Sequence, residues 1–173
     1  HAGSIVLNPD CLGVLQQGDL INLPPASGGT LGLTIKVKEQ LARAIEYIVD
    51  KDGITTVEVP ASLTDDLKGW VQSHNFIMRQ FGPNVTFGWQ QNIWSTGDSL
   101  WVHSLTESQI DTQISTPLVN FMDSLEVYEG PWKPDFLVFD RYERDSFSII
   151  SRFNGYAYNN LDWQAYFTHI KQV

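Results

Sequence analysis

The sequence predicts an α/β protein made of (β/α) units with parallel strands, and three observations predict it. Short apolar runs at residues 4–7, 85–89 and 136–139 lack polar alternation, as strands buried on both faces do. Amphipathic stretches of helical period separate them. Each run then stops on polar side chains: Asn8 and Asp10, Gln90 and Asn92, and Asp140, Tyr142 and Glu143. Helical crossovers between parallel strands bring such ends to one rim, where barrels and open sheets build their sites. Three strands do not close a (β/α)8 barrel, which takes roughly 250 residues. With 173 residues, the expectation is a single domain over 1–173, TIM-barrel-like in its units and a partial barrel in extent, or else a small open sheet.

The elements follow in order. After the strand at 4–7, residues 11–17 suit a short helical turn. Residues 18–34, with Pro24-Pro25 and Gly28-Gly29, form a long loop. Residues 38–50 are an amphipathic helix with Leu41, Ala44, Ile45, Ile48 and Val49 on one face, ended by Asp52-Gly53. Residues 55–59 alternate like a strand, but Pro60 follows, which also fits an extended connection. Ser62 or Thr64 caps a second helix reaching Phe81, with Leu67, Trp70, Val71, His74 and Ile77 at helical spacing. Gly82-Pro83-Asn84 stops it before the strand at 85–89. A third helix covers 107–128 with a break near Pro117, and 131–134 turns into the strand at 136. A loop at 145–158 precedes a last helix over 161–173.

Bulk properties narrow the partner. The net charge of -9 disfavours a nucleic-acid backbone or an anionic membrane and suits a neutral or cationic ligand. No apolar run approaches spanning length. Six Trp, six Tyr and nine Phe are a heavy aromatic load, which serves core packing or sugar stacking. The one cysteine, Cys11, excludes an internal disulfide and sits in an apolar stretch that suits a buried, inert thiol.

Two carboxylates across a cleft are the minimum for glycoside hydrolysis: one protonates the leaving oxygen, the other is nucleophile or activates water. Asp10 and Asp140 are the natural pair. Gln90 and Asn92 suit hydroxyl recognition, and Trp89, Trp94 and Tyr142 could stack on a sugar face. The plainer alternatives are a helix cap for Asp10 and a surface pair with Arg141 or Arg144 for Asp140. The histidines His1, His74, His103 and His169 match no metal spacing. No metal or other cofactor is therefore expected. His74 lies on an apolar helix face and suits a hydrogen-bonded core histidine. His1 with His103 would fit the copper brace of polysaccharide monooxygenases, but those are disulfide-bonded β-sandwiches, and this chain is helix-rich.

The segments 5–13 (Ile-Val-Leu-Asn-Pro-Asp-Cys-Leu-Gly), 84–94 and 135–142 resemble a group of bacterial secreted (β/α)8-barrel proteins similar to glycoside hydrolases. The first is also similar to the Glu-Pro-Asp-Ser-Leu strand of family 6 cellulases, with Asn8 in place of the glutamate. The helix carrying Trp163 and Tyr166 fits the group too. The resemblance implies a secreted protein acting on a β-linked polysaccharide or oligosaccharide. It also implies further strands before and after these segments, so that the chain looks like the middle of a barrel. Such a piece would complete its sheet by self-association or leave raw edges. The leading expectation is a glycoside hydrolase using Asp140 and Asp10. The alternatives are a non-catalytic sugar-binding module on the same scaffold and the copper enzyme using His1.

Overall fold

A computed structural model of the chain describes residues 2–18, 35–96, 105–139 and 160–172. In order these hold β1 (Gly3–Leu7), α1 (Cys11–Gln17), α2 (Val37–Asp52), α3 (Leu67–Phe81) and β2 (Val85–Gln91). A 3-10 turn (Ile93–Thr96), α4 (Glu107–Ile110), a π turn (Asp111–Ser115), α5 (Thr116–Ser124), β3 (Phe136–Phe139) and α6 (Asn160–Gln172) follow. The loops expected at 18–34 and 145–158 lie almost wholly outside the described residues.

The strands form one parallel sheet in the order β1-β2-β3. Ile5 sits beside Phe87 and Leu7 beside Trp89; Gly88 sits beside Phe136 and Gln91 beside Phe139. Parallel neighbours require crossovers, and helices supply both. The α/β class with parallel units is therefore present, as an open three-stranded sheet among the described residues. The extended-connection reading of 55–59 is correct: residues 53–60 form no regular element.

Burial follows sheet position. In β2, flanked on both sides, Phe87 and Trp89 are fully enclosed. The expectation that β1 is also buried on both faces is wrong, since Ile5 is 44% and Val6 38% exposed. An apolar run of four residues does not distinguish a central strand from one that is paired along one edge only, as β1 is here. β3, likewise paired on one edge, is half-buried throughout.

Helix α3 ties the layers together. Its cap is Asp66, not Ser62 or Thr64: the Asp66 carboxylate accepts from the Gly69 N–H at 2.9 Å and from the Thr64 hydroxyl at 2.6 Å. Leu67 and Val71 pack with Leu12, Trp89, Leu118 and Leu125, each such side chain contributing about 1.5–3 kcal/mol of apolar transfer. Phe76, on another side of the helix, joins Leu41 and Ile45 of α2. Asn75, fully buried, donates to the Val127 carbonyl at 3.0 Å and accepts from Trp89 Nε1 at 2.8 Å. Arg79 lies 4.5 Å over the Phe87 ring, donates to the Lys133 carbonyl and pairs with Asp135. Asp135 in turn accepts from the Phe87 N–H at 2.9 Å, so one carboxylate aligns the start of β3 with β2. Hydrogen bonds from Arg79 and then Phe87 hold that carboxyl below its usual range.

The third helix is three pieces rather than one. Pro117 has no N–H to continue the i→i−4 ladder, and the backbone widens into the π turn just before it. The helix then stops at Ser124, short of Tyr128. Glu126 takes a left-handed φ of 49°, and the Val127 N–H returns to the Met122 carbonyl at 3.0 Å. That is a Schellman ending, with Glu in the place usually held by glycine.

Candidate active site at the sheet rim

The carboxyl ends of β1 and β2 meet where the patterning placed them. After Leu7 the chain turns through Asn8 and Asp10, both at positive φ (38° and 68°), closed by the Cys11 N–H on the Asn8 carbonyl at 3.0 Å. Left-handed backbone costs an L-residue about 1–2 kcal/mol, and Asn and Asp visit it most readily because their side chains bond locally. Asp10 precedes α1, yet its side chain makes no cap. It turns instead to β2. Its Oδ1 accepts from Asn92 Nδ2 at 2.6 Å and from Gln90 Nε2 at 3.1 Å. The plain capping alternative is thereby displaced by a cross-strand clasp.

The clasp is anchored from below. Asn92 is fully buried, while Asp10 is exposed. Gly13 of α1 lies against the amide: a Cβ there would stand 2.3 Å from Asn92 Oδ1. The adjacent Gln91, also buried, donates to Gln16 Oε1 at 2.6 Å and to Ser95 Oγ at 2.8 Å. Gln16 continues to the Pro117 carbonyl at 3.2 Å. This polar layer locks α1, the end of β2 and the start of α5 around the rim. Two amide donors meet one oxygen of a side chain whose two oxygens offer about four acceptor sites. Capacity therefore remains for a ligand hydroxyl or a water proton.

The other expected residues divide. Gln90 and Asn92 join Asp10. Trp94 is half-buried in the 3-10 turn. Trp89 is a correction: its ring is 0% exposed in the core and its N–H is held by Asn75, so it has no face to offer a sugar. The alternation of a central strand sends Trp89 inward, toward α3. Asp140, Tyr142 and Glu143 lie outside the described residues, as do His1 and His103. His74 is the expected core histidine, its Nδ1 2.8 Å from the Trp70 carbonyl and its ring against both Trp70 and Trp89. Burial pushes its pKa down, against an opposing pull from that carbonyl. Cys11 is half-buried, and burial pushes its thiol up, consistent with an unreactive side chain.

Sequence reasoning missed Gly13, Gln16, Gln91 and Ser95. The signal for Gln91 was present, since three amides in a row at a strand end cannot all face a ligand. Nothing local marked Gly13 or Gln16. Among the described residues, no group of three His, Cys, Asp or Glu side chains is placed to hold a metal ion, and no helix is long and apolar enough to cross a membrane. No protein-family model, curated protein or solved structure matches the chain.

Proposed function

We propose that the rim is a carbohydrate site and that the protein hydrolyses a polysaccharide or oligosaccharide with Asp10 as one of its two carboxylates. The observation that carries this reading is the clasp of Asp10 by Gln90 and Asn92 at the carboxyl end of parallel strands. An exposed carboxylate beside amide side chains is what a sugar hydroxyl, donor and acceptor at once, can bridge. The acceptor sites left open on Asp10 suit base or nucleophile, and Asp140 is the acid assigned from the sequence. A retaining mechanism asks for carboxyl groups about 5–5.5 Å apart and an inverting one about 6.5–9.5 Å.

A non-catalytic sugar-binding role is the second reading, because a carboxylate already held by two amides also serves as a fixed acceptor. Reducing-end release from a panel of β-linked glycans separates the two. The hydrolase reading expects release that is lost in Asp140→Asn. Glycan affinity without release from any member selects the binding role. The absence of both sinks the carbohydrate reading.

A further inference from the structure

A concavity lies away from the clasp and uses none of its residues. It opens between the first turns of α3 and the α5–β3 connection and encloses about 360 Å³, within the roughly 300–1,000 Å³ usual for small-molecule sites. Ser62, Thr64, Lys68, Glu126, Pro131 and Trp132 line it. Trp132 is half-buried and braced by Phe76 at 5.3 Å, nearly perpendicular, so the indole is held in one orientation. Lys68 reaches across to Glu126 in an ion pair. Beneath them the buried Gln72 side chain donates to the Glu126 carbonyl, fixing the turn.

The conformation of Glu126 is the telling feature. Of the described non-glycine residues, three have positive φ: Asn8 and Asp10 at the rim, and Glu126 here. Glycine would relieve this helix end, so a glutamate there retains strain that its side chain must offset. The lining carries one cation and one anion already paired, an aromatic wall and two hydroxyl-bearing residues. A charged ligand would have to break the pair, and an anion would also meet the chain's net charge of -9. A neutral polyhydroxylated ring satisfies all of it, with its apolar face on the indole and its hydroxyls bridging a donor and an acceptor.

We infer that this groove is a saccharide-binding subsite, with Trp132 as its stacking platform and the Lys68–Glu126 pair as its hydroxyl clamp. The test is a nitrogen-15 NMR titration of the full chain with cellohexaose, xylohexaose and maltohexaose. The Trp132 indole resonance is identified by its loss in Trp132→Phe. A saturable shift of that resonance with at least one sugar is expected, with affinity, read from the Gly69 and Gly130 backbone amides of the lining, at least tenfold weaker in Trp132→Ala and in Glu126→Gly. Glu126→Gly keeps the helix ending that glycine favours, so its loss of binding is not a folding defect. No shift with any of the three sugars overturns the inference, as does unchanged affinity in Glu126→Gly. Shifts confined to Gln90, Asn92 and Trp94 overturn it while leaving the rim reading intact. Shifts at Trp132 without any at the rim support the groove and count against the rim.

Discussion

Replacing Gly13 by alanine tests the packing that builds the rim. In an ordinary helix interior the change stabilises by about 1 kcal/mol. Here the added methyl would stand 2.3 Å from Asn92 Oδ1 and 2.8 Å from its Cγ. Asn92 is fully buried and cannot swing into solvent. Either α1 moves off the strand end, an overpacking cost of about 1–3 kcal/mol, or the amide leaves Asp10, losing a hydrogen bond to a charged group worth about 1.5–3 kcal/mol. Set against the propensity gain, either outcome leaves a net loss of up to about 2 kcal/mol. Urea unfolding of Gly13→Ala, Asn92→Ala and the double variant measures it. The cycle should show a coupling of about 0.5–3 kcal/mol, because shortening Asn92 removes most of the clash. A stabilised or unchanged Gly13→Ala protein would refute the reasoning, since it would mean that α1 does not press on the strand end.

Two further outcomes follow from the core. His74 has its pKa lowered in the fold by burial, so the unfolded chain binds its proton more tightly. Its stabilising contribution is complete above the ordinary value of about 6.5 and is lost as pH falls through the lowered folded value. Urea midpoints should therefore drop on acidification below about 6.5 in the native chain and drop less in His74→Gln; parallel curves contradict this. Gly88→Ala would place a Cβ 2.2 Å from the Phe136 carbonyl oxygen and 2.3 Å from its ring, forcing β2 and β3 apart. A loss of about 1–3 kcal/mol is expected, seen as a lowered urea midpoint, and a native midpoint would show that the strands are not so close.

The legible parts of this molecule were those fixed by local pattern. The apolar runs at 85 and 136 are continuous and the helical faces of α2 and α3 are periodic, so their element types followed. The ends of β1 and β2 were also legible, because abrupt polarity after an apolar run marks where a strand leaves its sheet. Depth within the sheet was not, since it depends on how many neighbours a strand has. Ile5 and Val6 look as buried as Phe87 in the sequence, and Trp89 looks as available as Trp94. The third helix was read too long because the αL ending at Glu126 carries no glycine to announce it. The buried network of Gln16, Gln91 and Ser95 joins residues up to 79 positions apart and has no local signature.

The Asp10 carboxylate, clasped by Gln90 and Asn92, is proposed to act on a glycan. Asp10→Asn isolates the charge, because the asparagine oxygen can still accept from both amides and the clasp is kept. Reducing-end release by this variant, beside its unfolding midpoint and glycan affinity, is the most direct measurement. A rate at least about a hundredfold lower is expected, with midpoint and affinity close to native. A rate within a few-fold of native would contradict it.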